Sequence, residues 1–237
     1  MSLKTILRGL WVWPIFVADT LVFGVLSLIV SIWSAKGARG CGHAWGKFNF
    51  LIGGIRTRVE GLENLPRDGG GVIIASNHCS ASDIGAVFVG LPLDICWVTK
   101  DSLLKIPVFG WHLKRVHIPV TRGNTGSAQR LIQDGVRKIQ DGAAVVIFPE
   151  GTRNRGPEKL LPFKKGTFLL AQASGRPIVP LAIVGSAKVW PPQALVPNKG
   201  VIIMRLGRPI DPSKYKTEEI GLLAEETRRA IEAMLSD

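Results

Sequence analysis

Positions 76–83 read Ser-Asn-His-Cys-Ser-Ala-Ser-Asp, which sets an imidazole, His78, and a carboxylate, Asp83, five positions apart. Histidine is the side chain best suited to take and return a proton near neutral pH, and a carboxylate against it holds the tautomer and stabilises the protonated ring. On one continuous helix this spacing would point the two about 140° apart. The pattern instead reads as a strand (Val72 to Ser76), a polar turn, and a helix opened by Ser80 to Asp83 in the S-x-x-D form of a capping box. A histidine in that turn meets an aspartate in the first helical turn, at a strand end where α/β folds place their ligands. Taken singly, His78 reads equally well as a hydrogen-bonded structural histidine and Asp83 as a helix cap. Cys79 and Ser80 offer a nucleophile beside the histidine, though neither sits in a G-x-S-x-G elbow.

A second constellation is the segment from Ile147 to Phe168, IFPEGTRNRGPEKLLPFKKGTF. An apolar strand runs straight into Pro149, Glu150, Gly151, Thr152 and Arg153. Glycine lets backbone approach a ligand closely, and an arginine fork can grip phosphate with two parallel hydrogen bonds. Backbone from Glu150 to Thr152 adds donors to such a site. An isolated EGTR would read as a surface turn with a salt bridge, but Arg155, Lys159, Lys164 and Lys165 crowd the same loop. Lys100 and Arg122 follow two further apolar runs in the same way, and the strand ends of a parallel sheet converge on one edge.

The elements that must position these residues are legible after Ile52. Short β-branched runs alternate with polar, helix-length segments: Val72 to Ser76, Ile95 to Thr99, Val116 to Val120, Ala144 to Phe148, Ile178 to Val184 and Val201 to Leu206. That alternation predicts an α/β fold, a mostly parallel central sheet flanked by helices. One helix is predicted from about Thr125 to Gln140, where Leu131, Ile132, Val136 and Ile139 share a face and Gly142 marks the stop. Another is expected from Thr217 through Leu235.

The N-terminal part is different in kind. From Leu10 to Trp33 the chain is apolar except for Asp19 and a few hydroxyls, and its 24 residues would make a helix of ~36 Å, enough to cross a bilayer. Trp11, Trp13 and Trp33 border it as a lipid interface selects. Pro14 and Asp19 interrupt its first half, and Lys4 and Arg8 on one flank match Lys36, Arg39 and Lys47 on the other in sign. Both ends are therefore expected on the cytoplasmic side, in a shallow hairpin or as interfacial helices. A cleaved signal peptide fits less well, since the run is long and a second aromatic, basic segment, His43 to Ile52, follows it; a buried core helix is the other alternative. The division expected is an N-terminal helical membrane-anchoring element over residues 1–52 and an α/β domain over 53–237.

Composition narrows the partner. Lys+Arg number 30 against 18 Asp+Glu, a formal charge of +12, which suits phosphate-bearing lipid, nucleic acid or an acidic carrier protein. A nucleic-acid binder would interleave its cations with stacking aromatics, whereas here the Trp and Phe concentrate near the N-terminus. No nucleic acid is expected. The 3 Cys show no CxxC spacing, so neither a disulfide framework nor a metal site is indicated.

Together these blocks resemble the glycerolipid acyltransferases, in particular the bacterial 1-acyl-sn-glycerol-3-phosphate acyltransferases. Asn77, His78 and Asp83 match the family's N-H-x-x-x-x-D. Lys100, the segment Lys105 to Trp111, and Arg122 are similar to its second block. Phe148 to Arg153 match F-P-E-G-T-R letter for letter, and IVPLAIV around Pro180 resembles the fourth. The usual acidic neighbour of the second-block arginine is missing. The resemblance implies catalysis by His78 with Asp83, substrate binding by Lys100, Arg122, Glu150, Gly151, Thr152 and Arg153, and a two-helix membrane-binding element. It further implies transfer of a fatty acyl group from a thioester, acyl-CoA or acyl carrier protein, to lysophosphatidic acid, with no separate cofactor. Membrane lipids are expected partners, and the cytoplasmic face of the cell inner membrane the expected site, monotopic or single-pass. Another lysolipid acceptor, or a membrane-attached thioesterase or lipid hydrolase, are the alternatives.

Overall fold

The computed structural model describes residues 3–66, 71–107, 109–121, 125–156 and 159–236 of the 237-residue chain. Two helices come first, α1 (Leu3–Val30) and α2 (Ala35–Gly53), joined by a short turn that Ser34 caps by accepting the N–H of Gly37. Then follow β1 (Ile55–Glu60), β2 (Val72–Ser76), α3 (Ser82–Gly90), β3 (Ile95–Lys100), α4 (Phe109–Val116), β4 (Ile118–Val120) and α5 (Thr125–Gln140). The chain continues through β5 (Ala144–Ile147), α6 (Gly166–Ser174), β6 (Ile178–Val184), α7 (Ser186–Val189), β7 (Gly200–Leu206) and α8 (Ile220–Ser236).

The strands form one seven-stranded sheet in the order β1-β7-β6-β2-β5-β3-β4, parallel throughout except where β6 and β7 pair antiparallel. This is the α/β architecture expected, with helices on both faces. Two apolar layers cover the sheet because strands buried on both sides must pack both ways. Phe50, Phe88 and Trp97 belong to the layer under α2 and α3; Ile73, Val145, Phe168 and Leu223 belong to the layer under α5, α6 and α8.

Three expectations are corrected. The strand β1 went unrecognised, because Arg56, Arg58 and Glu60 alternate with its apolar residues on an edge strand that only β7 pairs. The run from Val116 is not strand at its start: Val116 ends α4, and the N–H of His117 donates to the carbonyl of Leu113. Helix α8 begins at Ile220, after one tight turn over Thr217–Glu219.

The polar interruptions of α1 face its neighbours. The Asn49 side-chain amide donates to the carboxylate of Asp19, the Trp45 indole to the Thr20 hydroxyl, and the Trp13 indole to the Leu195 carbonyl. Apolar residues are left outside: Leu10, Trp11, Val22, Ile32 and Trp33 are all exposed, Trp33 by 77%. The span Leu7–Val30 is long and apolar enough to cross a membrane by length and composition. Arg39 does not serve as a flanking cation. It is buried, and its guanidinium grips both carboxylate oxygens of Asp94 at 2.7 and 2.6 Å. The two-helix segment is thereby pinned to the α/β body; α2 runs one residue past position 52 and packs closely on α3, where Gly42 leaves room for the Phe88 ring.

Candidate active site

β2 and β5 lie side by side, with Ala75 level with Ile147, so the segments leaving their C-terminal ends are neighbours. Adjacent strand ends bring His78 and the loop from Phe148 together without any contact close in sequence.

His78 is held on every side. Its Nδ1 lies 2.7 Å from Oδ2 of Asp83, its backbone N–H donates to Glu150 at 3.0 Å, and its carbonyl accepts the N–H of Asn154 at 2.6 Å. Its ring is stacked on Phe148, centroids 4.0 Å apart and planes 9° from parallel. Fixing a ring this way removes rotamer freedom before any substrate arrives. The same Oδ2 of Asp83 also accepts the N–H groups of Cys79 and Ser80 at 2.8 Å each. A carboxylate oxygen that already receives two backbone donors and sits wholly buried is an acceptor, so the Nδ1 of His78 is the protonated nitrogen. Nε2 is then left with its lone pair outward, the arrangement of a general base.

The capping box is half realised. Asp83 reaches back to the Ser80 N–H, but the Ser80 hydroxyl lies against Ser82 and donates to the Trp190 carbonyl instead. Helix α3 starts at Ser82. Asn77 adds a second tie, exchanging hydrogen bonds with the N–H and carbonyl of Ile183 on β6. Cys79 is buried, and burial, with the Asp83 charge second, pushes its thiol up to about 11; it is a protonated thiol at neutral pH rather than a nucleophile.

The site residues expected from the sequence separate into groups. Glu150 is buried with both carboxylate oxygens engaged, one by His78 and the other by the N–H of Leu161 at 3.0 Å, so its side chain ties the two loops together. Gly151 takes φ +68°, and its N–H closes the turn onto the Phe148 carbonyl. That N–H is therefore unavailable to a ligand. The stem of Lys164 lies across Gly151, where a side chain would collide with it. Thr152 and Arg153 are exposed. Lys100 is exposed at the C-terminal end of β3. Arg122 lies outside the described residues. Phe148, Asn154 and Trp97 were missed as members of the site. Asn154 carries no signal that sequence alone would show, since its partners are backbone groups: its N–H bonds to His78 and its side chain to the Lys159 carbonyl and the Gly156 N–H.

Beside this arrangement lies a cavity of about 740 Å³, within the range of small-molecule sites, ~300–1,000 Å³. Its wall is mostly apolar and comes from α1, α2, α3 and α4, including Phe16, Phe50, Phe88 and Leu113. It approaches the site at Ala81, Ser82, Trp97 and Arg153, although His78 itself is not part of the wall. Trp97 connects the two, resting on Phe148 with ring centroids 5.5 Å apart. A histidine fixed against a carboxylate, a cationic residue on the wall and an adjoining apolar cavity are what moving a group onto or off a molecule with one polar and one apolar end would require.

The sequence comparisons place the chain in a family with that chemistry. A family model described as acyltransferase matches residues 56–184, more than half of the chain, and the chain belongs to that family. It is 33% identical over 178 residues to the chloroplastic 1-acyl-sn-glycerol-3-phosphate acyltransferase of Brassica napus, covering 74% of this chain and 50% of that protein. It is 28% identical over 218 residues to the 1-acyl-sn-glycerol-3-phosphate acyltransferase of Salmonella typhimurium, covering 91% of this chain and 87% of the other. The chain thus spans about half the length of the plant relative. The crystal structure of the 1-acyl-sn-glycerophosphate acyltransferase of Thermotoga maritima shares the fold with a TM-score of 0.80 at 24% identity, over 98% of this chain and 95% of that one.

Proposed function

We propose that the chain transfers a fatty acyl group from an acyl thioester, on coenzyme A or acyl carrier protein, to the sn-2 hydroxyl of 1-acyl-sn-glycerol-3-phosphate, forming phosphatidic acid. The observation that carries this reading is the His78–Asp83 contact of 2.7 Å beside an apolar cavity with Arg153 on its wall. The names of the relatives, which specify that acceptor, support it.

In this reading Nε2 of His78 takes the proton of the acceptor hydroxyl as its oxygen attacks the thioester carbonyl, and Asp83 stabilises the imidazolium that forms. The carbon–sulfur bond then breaks, and the imidazolium returns the proton to the leaving thiolate. No covalent intermediate on the protein is needed. Arg153 on the rim, with Lys100 and Arg122, holds the acceptor phosphate, and the cavity takes an acyl chain. The exposed apolar side of α1 seats the protein on the cytoplasmic face of the inner membrane, where lysolipid and product reside.

The test is thiol release from acyl-coenzyme A or acyl carrier protein by the purified protein, with lysolipid products identified by mass. Release that depends on lysophosphatidic acid and disappears in His78→Ala, with the thermal unfolding midpoint kept, is expected. Equal release without any lysolipid would assign the protein to hydrolysis, and full transfer by His78→Ala would remove the base from its role.

A further inference from the structure

Among the described residues, the buried side-chain atoms without a partner include Oδ1 of Asp83 in the active site, an acceptor, and two donors on β3, Nε1 of Trp97 and Oγ1 of Thr99. Trp97 and Thr99 line the cavity. They stand at alternate positions of β3 and so share one face of the sheet. Trp97 is 5% exposed and lies against Phe148, on which the His78 ring is stacked.

Apart from the exposed Arg153, most of the other polar side chains around this cavity bond to protein groups. Thr20 accepts from Trp45, Asn49 donates to Asp19, and the Ser27 hydroxyl donates to the Ala38 carbonyl while lying 2.9 Å from Nδ1 of His112. Ser82 pairs with Ser80, and Nδ1 of His117 accepts the backbone N–H of Trp97. Buried tryptophan N–H groups and hydroxyls are nearly always bonded, since each left alone costs on the order of 1–3 kcal/mol. Two orphan donors on one strand face, both in a cavity wall and one of them resting on the Phe148 ring that stacks on His78, mark where an acceptor atom of a ligand belongs. A long-chain acyl group offers one such atom, its carbonyl oxygen.

We infer that the Trp97 indole N–H and the Thr99 hydroxyl bind a carbonyl oxygen of an acyl group held in this cavity, which makes them positioning donors for the transfer. The inference rests on the acyltransferase reading above. The oxygen belongs either to the thioester of the donor or to the sn-1 ester of the acceptor, and an acceptor with an ether in place of that ester separates the two.

The experiment compares the parent with Trp97→Phe and Thr99→Val, using 1-acyl and 1-O-alkyl glycerol phosphate as acceptors. Trp97→Phe keeps an aromatic ring for Phe148 and Phe88, and Thr99→Val keeps the shape, so thermal midpoints should hold or rise as an orphan polar group is removed. Each variant should lose about five- to tenfold in kcat/KM, as for one lost hydrogen bond to a ligand. Thr99→Ser should restore what Thr99→Val loses. A loss with both acceptors assigns the thioester carbonyl; a loss with the 1-acyl acceptor alone assigns the ester carbonyl. Kinetic constants equal to the parent's with both acceptors would overturn the inference while leaving the parent's transfer activity intact. A parent that transfers no acyl group overturns the acyltransferase reading itself, and this one with it.

Discussion

The backbone N–H of His78 and the side-chain carboxylate of Glu150 are joined by a 3.0 Å hydrogen bond that clips the turn after β2 to the loop after β5. The second oxygen of Glu150 carries the clip onward to Leu161. Glu150→Gln would present an amide to one of two N–H groups and so break one of them. Turnover should fall about 10- to 100-fold, as for a base displaced by a fraction of an ångström, while KM for lysophosphatidate stays within about twofold. Arg153→Ala should show the reverse split, a raised KM with kcat less changed. Steady-state kinetics of the two variants decides, and a KM effect for Glu150→Gln would return that side chain to the substrate.

Asp83 performs two tasks with one oxygen, orienting His78 and anchoring the N–H groups of Cys79 and Ser80. Asp83→Asn removes the charge from all three. Activity should drop on the order of 10³–10⁴-fold, and stability by about 1–3 kcal/mol. His78→Ala should cost activity without that stability loss. Urea midpoints of the two variants test the difference; equal midpoints would show that the turn does not depend on the carboxylate.

The Arg39–Asp94 pair is bidentate, with side chains only 3% and 10% exposed. Replacing one partner leaves the other charge buried, which costs roughly 3–5 kcal/mol. Arg39→Met should therefore loosen α2 from the body and, since α1 and α2 wall the cavity, reduce activity along with the unfolding midpoint. Recovery of part of the stability by a second change, Asp94→Leu, would identify the stranded charge as the cause; no recovery would point to lost packing.

Acid should weaken the fold through two histidines. Burial lowers His112 to about 4 and His117 well below its ordinary range, with His112, Arg39 and Lys138 adding to the second. Below the unfolded value of 6.5, the unfolded chain takes up protons that the folded chain refuses. Their contribution is complete above pH 6.5 and declines as pH falls below it, that of His112 being lost toward about pH 4 and amounting to up to about 3 kcal/mol. Denaturant midpoints taken across that interval should decline, and less steeply in His112→Phe. An unchanged slope in that variant would exclude the His112 contribution.

Much of the body could be read without coordinates. β2 and β6 and the helix α5 stand where the β-branched runs and the 3.6-residue period placed them, because both faces of a central strand and one face of a covering helix must be apolar. The pairing of His78 with Asp83 was legible for a related reason: a strand, a short turn and a helix leave few geometries for five intervening steps. Gly151 is different: the sequence suggests a close approach of backbone to a ligand, whereas its positive φ serves a turn that its N–H closes onto the Phe148 carbonyl.

What the chain alone decided was the type and order of its elements and the chemical groups set at their ends, since hydrophobic period, turn chemistry and side-chain functionality are local properties. Only the tertiary structure decided that the Glu150 carboxylate receives the backbone N–H of His78, that Arg39 is a buried partner of Asp94 instead of a cation for lipid, and that Trp97, Thr99 and the N-terminal helices share one cavity. Each of those depends on a partner far away in sequence, and in the first case on a backbone N–H that every residue but proline possesses. Strand order and helix docking supply such partners, and no pattern of residue types specifies them in advance.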